Sequence, residues 1–275
     1  MKRHIFAVAA TLIAPFCFDD ARAEDIRVEE EPKSSLTGSV GISSDYMFRG
    51  LTQSWGRPVI QGGAEWAAPS GLVAGGSVSG VSEHSYPGGS MELDLYASYG
   101  RAVNDDWSWR AGVYGYIYPG ANLSKAGLSK RSFNTAEANV AVSWKWFTLK
   151  YNRSLTDYFG VDTEQGYRSD SRGLGYFQLD ASVPLADDWS VDLHAGHTHY
   201  NTTLAQPLPS GAVNPDYSDY GATLKYKFAG HWTASVGVTH ATNADFYRNT
   251  SSFIQANEFR RAGGTRGFVM LQSAF

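Results

Sequence analysis

The chain has 275 residues, a formal net charge of −4 and a single cysteine, Cys17. This slightly acidic balance excludes the broadly basic surface that nucleic-acid binding requires, and one cysteine cannot form a disulfide within the chain. Aromatic residues make up 14% of the sequence, with 16 tyrosines and 8 tryptophans. Such a content is typical of the interfacial girdles of membrane β-barrels.

The N-terminal residues have the three parts of a secretory signal peptide. A basic start, Lys2–His4, precedes an apolar segment, Ile5–Phe18, and a small-x-small cleavage site, Ala21–Ala23. The apolar segment is too short to span a bilayer. We therefore predict export and cleavage after this site, which would also remove the cysteine. The charged residues that follow, 24–35, show no period and are predicted to form a flexible periplasmic leader.

From Leu36 to the C-terminus, apolar and polar residues alternate with the period of two that is typical of β-strands with one apolar face. The third of these segments is rich in Gly, Ser and Val, and its sequence does not assign its faces. In chain order the predicted strands are 36–45, 60–66, 72–81, 91–98, 107–118, 136–144, 147–152, 176–183, 189–195, 219–228, 232–239 and 264–275. About twelve strands of roughly ten residues result, the length that crosses a bilayer at the tilt of a barrel.

The connections between these strands are of two kinds. Short turns are predicted near Pro69, Asp105, Lys145, Asp187 and Gly230. Longer loops are predicted at 83–90, 119–134, 160–172, 201–215 and 243–263. The two kinds alternate after the first hairpin, whose loop at Trp55–Arg57 is predicted to be short. An even number of strands with this alternation places both termini on the short-turn, periplasmic rim.

A soluble secreted β-sandwich is the alternative, because its strands also alternate. Two features favour a membrane barrel. Large aromatic residues stand at strand ends beside short turns, at Trp107, Trp144, Phe147, Trp189, Phe228 and Trp232. The polar faces also carry many charges and tyrosines. We therefore predict an all-β, antiparallel, up-and-down transmembrane β-barrel over residues 36–275 in the outer membrane of a Gram-negative cell. Its partners would be outer-membrane lipid and the export and barrel-assembly machinery.

Three segments resemble a known family. Ser44–Gln53 is similar to the opening motif of the TorF family of predicted porins, also catalogued as the Gcw_chp family, and Pro58–Gly63 and Glu92–Tyr96 also resemble its pattern. The resemblance runs across essentially the whole mature chain and implies an outer-membrane barrel with no settled substrate. Trp55 and Arg57 depart from the acidic residues expected in the first loop, which argues against a cation-related role for that loop.

The polar faces supply the candidate pore-lining residues. These are Asp45, Arg49, Glu65, Glu92, Asp94, Arg110, Glu137, Lys150, Asp180 and Asp192, with Lys225 and Lys227 beside them. Asp45 and Arg49 are predicted on one face of the first strand, about 13 Å apart and thus too far for a direct pair. Each could instead pair with a neighbouring strand, through Glu65 or Glu92. Two interpretations stay open: a charged filter inside the pore, or a structural ion pair in a packed lumen.

Candidate chemistry is sparse. His197 and His199 share one face of a strand, as zinc ligands can, but a third ligand is missing and interfacial histidines are the alternative. The acid pairs at 105–106 and 187–188 fall in turns. His240, with Asp245 nearby, could serve a rim hydrolase or be an isolated rim histidine. The sequence therefore predicts no catalytic residue, no metal ligand and no cofactor.

Three functions fit these sequence features. The leading hypothesis is an outer-membrane, porin-like channel for passive diffusion of small hydrophilic solutes, because about twelve strands leave a lumen between the filled eight-stranded barrels and the open sixteen-stranded porins. Since both charge signs are present and acids are slightly ahead, the channel would be weakly cation-selective or non-selective. The alternatives are a non-conducting barrel with a surface-binding or structural role, and a rim-site outer-membrane hydrolase.

Overall fold

The computed structural model describes residues 33–275. The predicted signal peptide, 1–23, and most of the predicted leader lie outside the described residues. The first strand begins at Ser35 and the last ends at Ala274. Almost all of the described chain is thus used to build one sheet and the loops that join its strands.

Twelve long strands, numbered here in chain order, form that sheet. They are β1 Ser35–Ser43, β2 Val59–Ala67, β3 Leu72–Gly80, β4 Met91–Ala102, β5 Trp107–Ile117, β6 Thr135–Trp144, β7 Phe147–Ser154, β8 Gly175–Ala186, β9 Trp189–His199, β10 Tyr217–Phe228, β11 Trp232–Ala241 and β12 Gly264–Ala274. Each strand pairs antiparallel with its neighbours in the sequence, and β1 also pairs with β12, from Ser39↔Ala274 to Ser43↔Met270. The predicted all-β, antiparallel, up-and-down barrel of twelve strands is confirmed.

Alternation along each strand separates an apolar outer face from a polar inner face. On β5 the side chains of Trp107, Trp109 and Val113 are exposed, whereas Arg110 and Tyr114 are buried. The structure also assigns the faces of β3: Leu72 and Val78 are exposed, whereas Ser77 and Ser79 are buried. The barrel therefore turns its apolar side chains outward and its polar side chains into the lumen, the reverse of a water-soluble fold.

The two rims of the barrel differ. Short turns at 68–71, 103–106, 145–146, 187–188 and 229–231 share one rim with both ends of the sheet. Six longer loops lie at the other rim, at 44–58, 81–90, 118–134, 155–174, 200–216 and 242–263. The prediction of a short first loop is wrong, because β1 ends at Ser43 and β2 begins only at Val59. Short and long connections thus alternate around the whole barrel.

The loops contain a few short elements. Two small hairpins pair Met47–Phe48 with Leu51–Thr52 and Thr250–Ser251 with Phe259–Arg260. The helical elements are α1 at Ala244–Tyr247 and 3-10 turns at Leu123–Ala126, Tyr158–Gly160 and Thr163–Gln165. Within residues 33–275 no helix has the length and apolarity needed to cross a membrane.

A substitution of Gly196, on the inner face of β9, can show how tightly the lumen is packed. A Cβ at this position would overlap the ring of Tyr176, whereas a Cβ at Gly221 on β10 would lie 3.5 Å from the Cβ of His194, an ordinary contact. We expect Gly196→Ala to lower the free energy of unfolding by about 1–3 kcal/mol through overpacking, and Gly221→Ala to change it little. Urea unfolding in detergent micelles measures both. Equal effects of the two variants would contradict this packing.

Candidate functional site in the barrel lumen

The first loop, residues 44–58, folds into the lumen. Its small hairpin joins Phe48 to Leu51 through Arg49 and Gly50, whose φ angles are +48° and +74°. Two central residues with positive φ are the pattern of a type I′ turn, which favours glycine at one of them. A Cβ on Gly50 would lie 2.7 Å from the Cβ of Asp219 and 3.0 Å from that of Ala241. The turn is therefore pressed against β11 and β10, two and three strands from β1 around the barrel.

The base of the first loop is fixed by Asp45. Its Oδ2 accepts from Nη2 and Nε of Arg266 on β12, at 2.6 and 3.0 Å. Its Oδ1 accepts from the hydroxyls of Thr52 and Ser54 on the returning side of the loop, at 2.5 and 2.8 Å. A carboxylate that is only 5% exposed thus holds both sides of the loop and one strand of the wall.

The tip of the first loop is fixed by Arg49. Its Nη2 lies 2.7 Å from Oε2 of Glu137 on β6, and its Nη1 donates to the Tyr158 hydroxyl at 3.1 Å. Its guanidinium carbon lies 4.0 Å from the ring centroid of Tyr176 on β8, within the range of a cation–π contact. The exposed fractions of the Arg49 and Glu137 side chains are 5% and 0%. This is a fully desolvated ion pair between the loop and the far wall.

These contacts correct the prediction for the sequence motif around Asp45 and Arg49. Neither residue lies on β1, because both follow its end at Ser43. Their partners are Arg266 and Glu137, not Glu65 or Glu92. The error came from extending the alternation of β1 into residues that form a loop.

Tyrosines fill the side of the lumen formed by β4 and β5. The hydroxyls of Tyr46 and Tyr118 donate to Glu92 Oε1 and Oε2 at 2.7 and 2.5 Å. Phe48 packs edge-on against the ring of Tyr116, with centroids 5.5 Å apart. Glu92 is 1% exposed, so this buried carboxylate is hydrogen-bonded by phenol groups from two loops, 44–58 and 118–134.

The opposite side of the lumen is charged. His194 on β9 lies between two carboxylates, with Nδ1 2.6 Å from Asp180 Oδ1 and Nε2 2.6 Å from Asp219 Oδ2. The Tyr176 hydroxyl donates to Asp219 at 3.1 Å, and the ring of Tyr176 contacts Arg49. The chain of contacts from Asp180 to Arg49 therefore links three strands to the tip of the first loop.

Several other candidate residues lie on the inner face nearer the short-turn rim. Arg110 donates to Ser98 at 2.9 Å, and Glu65 accepts from Tyr96 at 2.9 Å. Lys225 pairs with Asp192 at 2.6 Å. These residues therefore make contacts between wall strands, below the level of the first loop.

Asp94 and Lys150 are also buried on the inner face, at 1% and 7% exposed. Asp94 Oδ2 accepts from the hydroxyl of Ser77 on the adjacent strand at 3.0 Å. Strand alternation alone identified the inward positions of both residues, although it did not give their partners.

Sequence reasoning missed several residues of the site. The pore-lining residues predicted from the sequence do not include His194, Asp219, Arg266 or Tyr158. Arg266 belongs to β12, on which Val269 and Leu271 are exposed, so alternation puts the even-numbered residues on the inner face and could have identified Arg266. Tyr158 lies in the loop 155–174, and nothing in its local sequence signals a contact with residue 49.

Two loop residues near Arg49 have shifted ionisation. Burial raises the pKa of the Tyr158 hydroxyl, so this group stays neutral at physiological pH and can accept from Arg49. Burial also raises the pKa of the adjacent Asp157, and the carboxylates of Asp170 and Asp162 add to that shift. The group that contacts the loop tip is thus the neutral phenol.

The rim histidines are exposed, and each contacts one polar neighbour. His197 and His199 are exposed on the outer face and contact Ser218 and Asp216 at 3.0 and 2.7 Å. His240 is exposed as well, and its Nδ1 lies 2.8 Å from the Thr265 hydroxyl. Among residues 33–275 no cluster of three or more potential metal ligands occurs.

Comparison with known proteins places the chain in a family. Residues 29–275 match the model of a family described as bacterial protein of unknown function (Gcw_chp). The chain belongs to the Gcw_chp family. This confirms that part of the resemblance seen in the sequence, while the TorF name stays a prediction. Comparison with curated proteins gives no match.

Solved structures of porins share the fold of this Gcw_chp protein. The NanC porin in a rhombohedral crystal form has a TM-score of 0.54 at 10% identity, over 87% of this chain and 98% of that one. The KdgM porin in complex with disordered oligogalacturonate has a TM-score of 0.51 at 10% identity, over 88% and 99%. At such identities the likeness extends to the barrel fold alone.

The Arg49–Glu137 pair can be tested by a double-mutant cycle. Because Arg49→Met leaves a buried carboxylate without its partner, we expect it to lower the free energy of unfolding by about 3–5 kcal/mol. The double variant with Glu137→Met should recover most of this loss. Lys145→Met is the control: its pair with Asp106 is about half exposed and 3.9 Å long, and should contribute less than about 1 kcal/mol. A cost for Arg49→Met no larger than the control's would disprove a structural role for the pair.

Proposed function

We propose that this Gcw_chp protein is an outer-membrane, porin-like channel for small hydrophilic solutes whose constriction is formed by its own first loop. The observation that carries the proposal is the passage of residues 44–58 across the lumen of a twelve-stranded barrel. A channel needs an outer wall suited to lipid, a hydrated interior and a constriction. In this protein a separate set of residues forms each of the three.

The outer surface supports insertion in a bilayer. Every strand exposes at least one large apolar or aromatic side chain outward, for example Ile60, Leu149 and Val269 at 71%, 56% and 57%. A continuous apolar belt around a barrel far exceeds the few hundred Å² that soluble proteins expose. At the short-turn rim, Trp107, Trp144 and Phe147 form neighbouring ring contacts at about 6 Å, as an aromatic girdle does.

The inner surface supports hydration. Several inner-face atoms have no hydrogen-bond partner within residues 33–275, including Asp94 Oδ1, Arg110 Nε and both polar atoms of the Asn139 amide. Buried polar groups left without partners cost free energy, so these atoms favour an interior that admits water. A path lined by such groups suits hydrophilic solutes rather than apolar ones.

The first loop supports a narrow constriction instead of an open pore. Wall side chains fill an eight-stranded barrel completely, whereas twelve strands leave additional space. Here the loop occupies that space at the level of Arg49, with contacts to β4, β5, β6, β8, β10, β11 and β12. A solute that passes this level therefore moves beside the loop tip, which the Arg49–Glu137 pair holds in place.

Charges inside the barrel favour weak cation selectivity or none. The predicted lumen residues hold both signs, with carboxylates slightly in excess, and the additional residues Asp219 and Arg266 do not change that balance. Ion pairs at the constriction cancel much of the local field. The KdgM porin binds oligogalacturonate, an anionic sugar oligomer; the acidic excess here disfavours a substrate of that charge.

Removal of the loop tip should open the channel. The amide of Gln53 donates to the carbonyl of Tyr46 at 2.8 Å, so deletion of 47–52 joins two adjacent ends. We expect a several-fold increase in single-channel conductance in planar bilayers. Deletion of 206–211, an exposed tip of equal length in another loop, is the matched control and should leave conductance unchanged.

The same experiment distinguishes the channel from the alternative, a non-conducting barrel. The position of the first loop inside the lumen favours that alternative as well. If the folded deletion variant carries no current, the lumen is closed independently of the loop and the channel proposal fails. If both deletions raise conductance equally, the first loop is not the constriction.

Selectivity is measured by the reversal potential under a gradient of KCl. We expect a reversal potential that is either zero or small and of the sign that indicates cation preference. The reason is that the lumen contains only slightly more carboxylates than basic side chains. A clear anion preference would overturn this assignment of the lumen charges.

A further inference from the structure

A cavity of about 370 Å³ lies outside the lumen, at the long-loop rim. The ends of β11 and β12 and the last loop, 242–263, line it, and it is partly open to the outside. His240 on β11 and Thr265 on β12 are paired across the strands and both are exposed on the outer face. The cavity is lined by His240, Ala241, Thr242, Asn243, Ala244, Arg248, Arg261, Gly263, Gly264 and Thr265. It therefore opens where the outer wall of the barrel meets its loops.

The charged lining of this rim cavity is basic. Arg248 and Arg261 are exposed, and neither has an ion pair with a carboxylate within the described residues. Nδ1 of His240 lies 2.8 Å from the Thr265 hydroxyl; in the tautomer in which this hydroxyl donates to Nδ1, Nε2 carries the ring hydrogen and can donate to a ligand. Asp245 on α1 is the nearest acid in the sequence, and it does not line the cavity. Two guanidinium groups and an imidazole suit an anion with several oxygen atoms.

The walls of the rim cavity are held in place by the neighbouring loop. Asn243 has a φ of +59°, and its Nδ2 donates to the carbonyls of Asn214 and Asp216 at 3.0 and 2.8 Å. The Tyr247 hydroxyl donates to the carbonyl of Pro215 at 2.8 Å, and the amide of Gly263 donates to the carbonyl of Tyr247 at 3.0 Å. A left-handed asparagine held by two hydrogen bonds fixes the start of α1, and with it the position of Arg248.

The surface directly below the rim cavity is apolar. On β11, Val238 and Val236 precede His240 on the outer face, and on β12, Val269 and Leu271 follow Thr265; their exposed fractions range from 39% to 57%. Residues two apart on a strand lie about 6–7 Å apart along it. A ligand with an anionic head in the cavity and an apolar chain along the wall would match both surfaces.

We propose that this rim cavity binds the phosphate-bearing headgroup of an anionic membrane lipid. Arg248 and Arg261 donate to the phosphate oxygens, Nε2 of His240 adds a third donor, and the acyl chains lie along Val238 and Val269. The assignment rests on the proposed function only in placing the barrel in a bilayer; it does not require conduction. Free inorganic phosphate would bind to the same hydrogen-bond donors, so the experiment has to distinguish the phosphate of a lipid from the free anion.

The test is lipid retention by the folded mature chain in detergent, followed by native mass spectrometry. The probes are phosphatidic acid, phosphatidylcholine with identical acyl chains, and inorganic phosphate as competitor. We expect phosphatidic acid to be retained about tenfold more than phosphatidylcholine, as charge-assisted contacts to a phosphate monoester predict. Arg248→Gln combined with Arg261→Gln should remove this preference.

The matched control combines Arg168→Gln with Arg172→Gln, two exposed arginines in the loop 155–174. It changes the net charge equally and should keep the preference for phosphatidic acid. Equal retention of the two lipids by the unaltered protein, or equal loss in both double variants, would overturn the proposal. Displacement of phosphatidic acid by millimolar inorganic phosphate would instead assign the cavity to the free anion and overturn the lipid assignment.

Heat-modified migration in gels reports whether each variant is folded. If the double variant at Arg248 and Arg261 does not fold, the comparison of the two lipids on the unaltered protein still decides the question. Lipid preference without channel conductance would support this inference while refuting the proposed channel, and conductance without lipid preference would do the opposite.

Discussion

Closure of the sheet between β1 and β12 is the constraint on which the rest of this structure depends. Pairing of Ser39–Ser43 with Met270–Ala274 joins the two ends of the sheet, so each strand of the wall has a neighbour on both sides. Closure at twelve strands also sets the width of the lumen, which is too large for wall side chains alone to fill. Residues 44–58 fold inward and occupy the space that the wall side chains leave.

The loop in turn determines how the interior charges are arranged. Charges removed from water need partners, and the loop provides Arg49 for Glu137 and Asp45 for Arg266. Tyrosines solvate Glu92, and His194 lies between two carboxylates. The loop and the wall are therefore joined by a network of ion pairs and hydrogen bonds inside the barrel. At the rim cavity, by contrast, Arg248 and Arg261 are exposed.

Much of the barrel could be predicted because alternation is a local property of each strand. Arg110 on β5 is buried on the inner face, and Trp107 and Trp144 are exposed beside short turns, as the period of two predicted. The faces of β3 could not be predicted, since its Gly, Ser and Val residues differ little in polarity. The first loop was misjudged because Ser44–Arg49 continues the polar alternation of β1 into a segment that forms no barrel strand.

The sequence by itself determined the strand count, the antiparallel order, the inward positions of several charged strand residues and the family, since each depends on short-range pattern or on a contiguous motif. Only the tertiary structure decided which charges meet. Arg49 pairs with Glu137 across 88 residues, and Asp45 with Arg266 across 221. Such pairs follow from barrel radius, register and the direction in which a loop folds, and none of these is encoded in the residues adjacent to the pair.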